Sequence, residues 1–360
     1  MRTPEQWREL ALEIGRDLGF DLVGVASAEP SARLAMFPDW VDAGMAGEMG
    51  YLARRSEDGH YVRERITAVW PWARSVLCAA VVYNAEAPRS TEFAASRERG
   101  WISRYAWGED YHLTLRDKLE DWRQRLAAEA GEEQFHATVD TAPIVEREVA
   151  WRAGLGWQGK NTCLIHPKKG SYMFLGTLVT SIAMAAEEAP VPDRCGSCTR
   201  CLEACPTGAL TAYKMDASRC LAYLNIELRG AIPEHFREPM GNNVLGCDIC
   251  QDVCPWNRRA ATTTAPEFQP RPGLVAPRLA ELGAMSEEDY RERFRHSAVK
   301  RAKFAGLQRN IAVAMGNSGN PEFLLQLQSW EAGADAVLAE HARWALARIG
   351  EARIEAQTES

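Results

Sequence analysis

The sequence predicts three consecutive parts: an α/β domain over residues 1–187, a small ferredoxin-like domain over 188–262 and an all-α module of helical repeats over 275–360. Three observations carry that reading. Apolar runs of strand length alternate with helical stripes through the first half. Eight of the ten cysteines then fall into one pattern built on two runs that end in Cys-Pro. Beyond Pro277 the chain turns rich in Ala, Leu and Arg at helical spacing. A length of 360 residues exceeds one simple core. The 46% hydrophobic and 25% charged fractions are those of an ordinary soluble protein.

The elements follow in order. Trp7, Leu10, Ile14 and Leu18 keep helical spacing, and Leu22 to Ala26 reads as a short strand. Val76 to Tyr83, the longest apolar run, reads as a buried strand. Asp110 is placed to cap a long helix with the stripe Leu115, Leu119, Trp122 and Leu126, stopped near Gly131. Phe135 to Val139 reads as strand and Pro143 to Ala153 as helix. Thr162 to His166 and Tyr172 to Ser181 read as strands joined by the turn at 167–170. Residues 185–193 form an acidic, proline-bearing linker, and a second linker rich in Thr and Pro runs from Ala260 to Pro277. In the last part Leu307, Ile311 and Ala314 make one stripe, and Asn320-Pro321 starts a helix. Ala336 to Ile349 makes another, ending at Gly350. Short antiparallel helices of this kind suit two or three repeats.

The cysteines carry the chemistry. The first run is Cys195-x-x-Cys198-x-x-Cys201-x-x-x-Cys205-Pro206, the second Cys247-x-x-Cys250-x-x-x-Cys254-Pro255, with Cys220 between them. Three closely spaced thiolates wrap three corners of an iron–sulfur cubane, and in two-cluster ferredoxins the cysteine before the proline serves the other cluster. Cys195, Cys198, Cys201 and Cys254 therefore make one set of four, and Cys205, Cys220, Cys247 and Cys250 the other. Val244 stands where a standard second run has its first cysteine, so Cys220 fills that corner. Paired C-x-x-C motifs also hold zinc, but two Cys-Pro endings and eight ligands point to two 4Fe–4S clusters. Nothing marks the chain as secreted, which argues against disulfides. Cys78 and Cys163, in apolar strands, read as small hydrophobes.

A net charge of −7 advertises no nucleic-acid partner overall. The N-terminus lacks the apolar core of a signal peptide, and no stretch nears the roughly 20 apolar residues of a membrane span. A soluble, cytoplasmic monomer is expected. One patch opposes the overall charge: Arg291, Arg293, Arg295, Lys300, Arg301, Lys303 and Arg309 stand against the single acid Glu292. Such a concentration suits phosphates, though a solvated helix face has the same pattern. Gly154-x-Gly156-x-x-Gly159 copies a dinucleotide fingerprint but follows a helix and precedes a strand, the reverse of the required order. With Lys160 it nearly makes a P-loop, yet Asn161 replaces the residue that holds magnesium. A tight connection is the expected role. Asp140, at a strand end before Thr141-Ala142-Pro143, is either a helix cap or a reacting group. The seven histidines form no metal-spaced pair.

Longer motifs add specificity. They are Arg104-Tyr105-Ala106-Trp107-Gly108-x-Asp110-Tyr111-His112, Val139-Asp140-Thr141-Ala142-Pro143 and Gly159-Lys160-Asn161. Gly170-Ser171-Tyr172-x-x-Leu175-Gly176 and Gly246-Cys247-Asp248-Ile249-Cys250-Gln251 continue the series. Together with the cysteine runs, over nearly the whole length, the chain resembles the epoxyqueuosine reductase family. The resemblance implies a cobalamin held by the α/β domain against the cluster domain, with no histidine ligand on the cobalt, and a C-terminal module of HEAT-like repeats that helps grip tRNA. It implies reduction of epoxyqueuosine to queuosine at the wobble position of tRNA, the last step in making that base. Electrons from a reduced flavodoxin or ferredoxin would pass through both clusters to cobalamin. Asp140 falls on the family's proton donor, and a carboxyl desolvated against corrin is held protonated. Corrin contacts are implied for Asp140, Leu175, Leu178, Cys247 and Asp248, and more loosely for Arg63. Arg295, Lys300, Arg301, Lys303 and Arg309 are the expected phosphate contacts. A cobalamin-dependent reductive dehalogenase shares the cofactors but usually carries an export signal. A two-cluster electron carrier needs no α/β domain of this size.

Overall fold

A strand that is apolar on both faces needs a layer on each side, and that requirement organises the N-terminal half. In the computed structural model, which describes residues 2–187 and 191–358, four strands form one sheet. They are β1 (Leu22–Ser27), β2 (Ser75–Val82), β3 (Phe135–Thr138) and β4 (Met173–Thr180), in the order β1-β2-β4-β3. Every neighbouring pair is antiparallel, with Gly24 opposite Cys78, Cys78 opposite Thr177 and Ala137 opposite Leu178. All of β2 is buried. Alternation sends Leu77, Ala79 and Val81 to one face and Val76, Cys78 and Ala80 to the other. The first face is covered by α1 (Pro4–Asp17) and α2 (Tyr111–Ala130), whose predicted stripe is fully buried. The second is covered by α3 (Glu146–Arg152) with Leu155 and Leu164. The expected mixture of helix and strand is present, in antiparallel form.

Most ends match their sequence signals. Thr3 caps α1 in a capping box with Gln6, Asp110 caps α2, and Gly131 ends it at φ 72°. The helix predicted from Pro143 starts only at Glu146, because residues 140–145 are held as a loop. Asp140 takes φ 56°, and the Glu146 carboxylate turns back to accept from its N–H at 2.8 Å. Gly154 to Gly159 is a tight connection into the hairpin of Trp157–Gln158 with Leu164–Ile165. A Cβ on Gly156 would stand 2.4 Å from the Ile165 carbonyl oxygen, so glycine is required there.

The cysteine-rich segment carries short helices at Arg200–Glu203 and Ile249–Asp252, and a π-helical turn, Tyr223–Glu227, just after Cys220. The C-terminal end is α4 (Lys303–Ser318), α5 (Leu324–Glu331) and α6 (Ala336–Thr358). Leu307, Ile311 and Ala314 are buried, and Asn320 caps the turn that leads into α5. α6 runs through Gly350, where the sequence signals an end; a helical glycine costs about 1 kcal/mol without breaking the hydrogen-bond ladder. One core unites these helices with Trp101, Ile102, Val244 and Leu245. The Thr- and Pro-rich stretch is packed down rather than free: Phe268 is buried, its ring 5.4 Å from that of Phe174. Within the acidic linker at 185–193, residues 188–190 lie outside the described residues. Among the described residues no helix is long and apolar enough to cross a membrane.

Candidate active site

A cavity of about 670 Å³ opens where the sheet domain, the π-helical turn and the C-terminal module meet. Its walls differ in character. Pro143, Ile144 and Ile226 are apolar, Arg63, Glu227 and Arg301 are charged, and Tyr111, His112 and Asp140 stand together. Asp140 Oδ2 accepts from the Tyr111 hydroxyl at 2.9 Å, and His112 Nε2 lies 3.7 Å from the same oxygen. The other ring nitrogen of His112 meets Asp110 Oδ1 at 2.8 Å. That Asp110 oxygen also accepts the His112 N–H as the cap of α2, so one carboxylate starts the helix and orients the imidazole.

Charge follows from this geometry. His112 above all, with Tyr111 as a second donor, holds the Asp140 carboxyl below its ordinary value, against a desolvation that pushes it up. The cationic His112 beside it is what favours the charged form. Burial lowers His112, but hydrogen bonds and charges from Asp110 and Asp140 outweigh it and lift the group to about 9. Glu146, half-buried, desolvated by its surroundings and facing the Asp140 charge, is pushed up to about 8.

Arg63 lies under the Asp140 loop, where its Nη1 donates to the Ala142 and Ile144 carbonyls, both at 3.0 Å. Leu175 borders a second cavity of about 130 Å³ with Tyr83, Arg147, Cys163 and Gln251. Leu178 does not. Three residues further along a strand it points through the opposite face, fully buried among Leu115, Leu119 and Trp122, and is corrected to a core residue. Asp248 has a structural role of its own. Its buried carboxylate accepts from the Trp101 indole at 2.9 Å, the Ser103 hydroxyl and the Arg104 N–H, and it lines neither cavity.

Cys195, Cys198, Cys201 and Cys254 line a third cavity, of about 220 Å³. Cys205, Cys220, Cys247 and Cys250 lie within electrostatic reach of one another as a second group. Burial pushes the Cys220 and Cys247 thiols up, a penalty that metal ions relieve by replacing the proton. Among the described residues no three His, Cys, Asp or Glu side chains converge on a single-ion site. Four thiols around an open space suit a larger group. Gly159-Lys160-Asn161 joins both cysteine loops: Lys160 Nζ donates to the Gly196 and Cys198 carbonyls, and Asn161 Nδ2 to the Cys250 carbonyl. Cys163 is more than a small hydrophobe, since its thiol donates to Gln251 Oε1 at 3.3 Å beside the second group.

Of the basic stretch, Arg295, Lys300 and Lys303 are exposed. Arg301 sits on the cavity edge, paired with Glu227 through contacts of 2.8 and 2.9 Å. Arg309 is corrected to a strut. It is 2% exposed, and its guanidinium donates to the carbonyls of Leu224, Leu228 and Gly230, because α4 packs that face on the π-helical turn. Arg309→Met is expected to lower stability by about 3 kcal/mol in urea unfolding, leaving buried acceptors unpaired, with no change in the salt dependence of RNA binding.

The fold and its thiol groups define a two-cluster iron–sulfur protein with a separate reaction cavity, and residues 194–257 match the family described as a 4Fe-4S double cluster binding domain. Residues 63–141 match the family described as Epoxyqueuosine reductase QueG, DUF1730. The epoxyqueuosine reductase of Pseudomonas aeruginosa is 40% identical over 339 residues, 94% of this chain and 93% of that protein. That of Escherichia coli is 39% identical over 360 residues, covering 98% and 93%. A crystal structure of epoxyqueuosine reductase with an epoxyqueuosine-modified tRNA stem loop matches with a TM-score of 0.84 at 32% identity, covering 97% of this chain and 91% of that one. The chain belongs to the epoxyqueuosine reductase family.

Proposed function

We propose that this chain reduces epoxyqueuosine to queuosine at the wobble position of tRNA, with cobalamin and two 4Fe–4S clusters as cofactors. The observation that carries the reading is the placement of Asp140, the residue of the family motif, beside a histidine in the wall of a cavity large enough for chemistry. The residues suit a corrin. Pro143, Ile144 and Ile226 offer an apolar wall for a flat ring, and Arg63, on the same wall, offers a cationic guanidinium to its amide rim. Leu175 and Tyr83 border the neighbouring smaller cavity together with Cys163, whose thiol lies beside Cys250. Bound there, cobalamin and the clusters would supply a low-potential electron pair.

The chain's own residues do the rest. Tyr111 fixes the Asp140 carboxylate, and Asp140 hands a proton to the departing epoxide oxygen. Filling the cavity removes water from around Asp140 and raises its affinity for that proton. The substrate base must leave its stack to enter, so the loop needs a grip outside the cavity. Arg301 stands at its edge, and Arg295, Lys300 and Lys303 are exposed on the same C-terminal module, which we read as HEAT-like. Reversing Arg295, Lys300 and Lys303 to Glu should weaken stem-loop binding and flatten its salt slope by about two units, at about 0.7 per phosphate contact. An unchanged slope would move the footprint elsewhere. We place the protein in the cytoplasm as a monomer with reduced flavodoxin or ferredoxin as donor. The test is to incubate the reduced, reconstituted protein with epoxyqueuosine-bearing tRNA and digest it to nucleosides. Queuosine is expected, and its absence would refute the reading.

A further inference from the structure

We infer that His112 is the proton store of this site: it reloads Asp140 during turnover, and Asp110 holds it in place to do so. The inference rests on the epoxide reduction proposed above. When an epoxide becomes an alkene, both carbon–oxygen bonds break, the two added electrons leave a carbon–carbon double bond, and the oxygen departs with two protons as water. One carboxyl carries one proton. A site that relies on Asp140 alone must therefore be reprotonated in mid-reaction, while substrate and cofactor fill the cavity.

His112 is placed for that task. Its Nε2 is 3.7 Å from Asp140 Oδ2, a distance that a small side-chain movement turns into a hydrogen bond. Its Nδ1 is fixed on Asp110 Oδ1 at 2.8 Å, and its ring stacks on Tyr111 with centroids 4.1 Å apart. The surrounding charges favour the imidazolium. Asp110 and Asp140 flank it, Glu146 and Arg147 of α3 act on Asp140, His296 acts on Asp110, and Glu227 and Arg301 stand across the cavity. The N-terminus of α2 opposes a cation, yet His112 keeps its proton below about 9; transfer to the Asp140 carboxylate alone is uphill, and it runs downhill as a relay in which Asp140 passes its own proton to the strongly basic departing oxygen. Glu146 is the rival store. Its carboxylate engages the Asp140 backbone N–H and does not line the cavity, so it has no path to the reacting oxygen. His112 acts through Asp140, as a proton-supplying residue.

Two measurements test this. Histidine-selective NMR of the cluster-loaded protein without cobalamin, with the signal assigned by its loss in His112→Gln, should show a midpoint near 9 that falls toward the ordinary value of about 6.5 in Asp110→Asn. A midpoint near 6.5 in the wild type overturns the inference. In turnover at saturating tRNA, His112→Gln should lower kcat at least tenfold at pH 8.5, with stem-loop affinity and cobalamin uptake changed less than twofold. Added imidazole should restore part of the rate to His112→Ala. Wild-type kcat in His112→Gln overturns the inference and leaves the reductase reading standing. A wild-type protein that makes no queuosine overturns that reading and the inference with it.

Discussion

Asp140→Asn is expected to lower turnover on epoxyqueuosine-bearing tRNA by about a thousandfold, within the range for loss of a positioned acid or base, while cluster and corrin absorption stay as in the wild type. Asparagine is the informative replacement because it tolerates the left-handed φ of 56° that Asp140 adopts. Its amide oxygen still accepts from the Tyr111 hydroxyl, so the loop over Arg63 keeps its shape. Asp140→Ala removes the same chemistry and adds backbone strain of about 1–2 kcal/mol. It should be equally inactive and measurably less stable to urea. A second readout separates chemistry from folding. With its carboxylate partner neutralised, His112 should release its proton at a lower pH than the value of about 9 it has beside Asp140. Full activity in the asparagine variant would show that Asp140 only shapes the turn into α3.

The sequence makes short-range features legible and hides pairings. β2 and the stripe of α2 are readable because each repeats on one chain segment, and Asp110 and Gly131 mark the ends of α2 by their own chemistry. The antiparallel order of the sheet is not readable, because nothing in β4 names β2 and β3 as its neighbours. Arg309 misleads for a related reason. The stripe Leu307, Ile311 and Ala314 exposes one buried face of α4, but Asn310, Ala312 and Val313 are buried too, and the second face covers the π-helical turn. Cations on such a helix are struts, while Lys300 and Lys303, before and at its start, stay in solvent. Leu178 was excludable from the strand period, since Leu175 and Leu178 differ in parity. The partnership of His112 with Asp140 had no local signal. Their shared neighbour Tyr111 lies 29 residues before Asp140, and only the packing of α2 against the sheet brings them together.

The sharpest expected result on the cofactors comes from pairs of cysteine variants, because sequence distance and cluster membership disagree. Cys250 and Cys254 are one helical turn apart, yet Cys254 lines the cavity of Cys195, Cys198 and Cys201, while Cys250 lies with Cys220 and Cys247. Cys250→Ala with Cys254→Ala should therefore strip both clusters, taking iron from about eight atoms per chain toward zero. Cys198→Ala with Cys254→Ala, more than fifty residues apart in sequence, damages one cluster only and should leave about four. Cys220→Ala alone should also leave about four, and its damage should spread further. The residues after Cys220 form the π-helical turn whose Ile226 and Glu227 wall the reaction cavity, and Arg309 and Asn310 bind that turn through its carbonyls. Loss of the Cys220 anchor is thus expected to weaken cobalamin retention, which Cys198→Ala leaves intact. If Cys250→Ala with Cys254→Ala retained half the iron, the two thiols would share a cluster, and the division of the eight ligands would have to be redrawn.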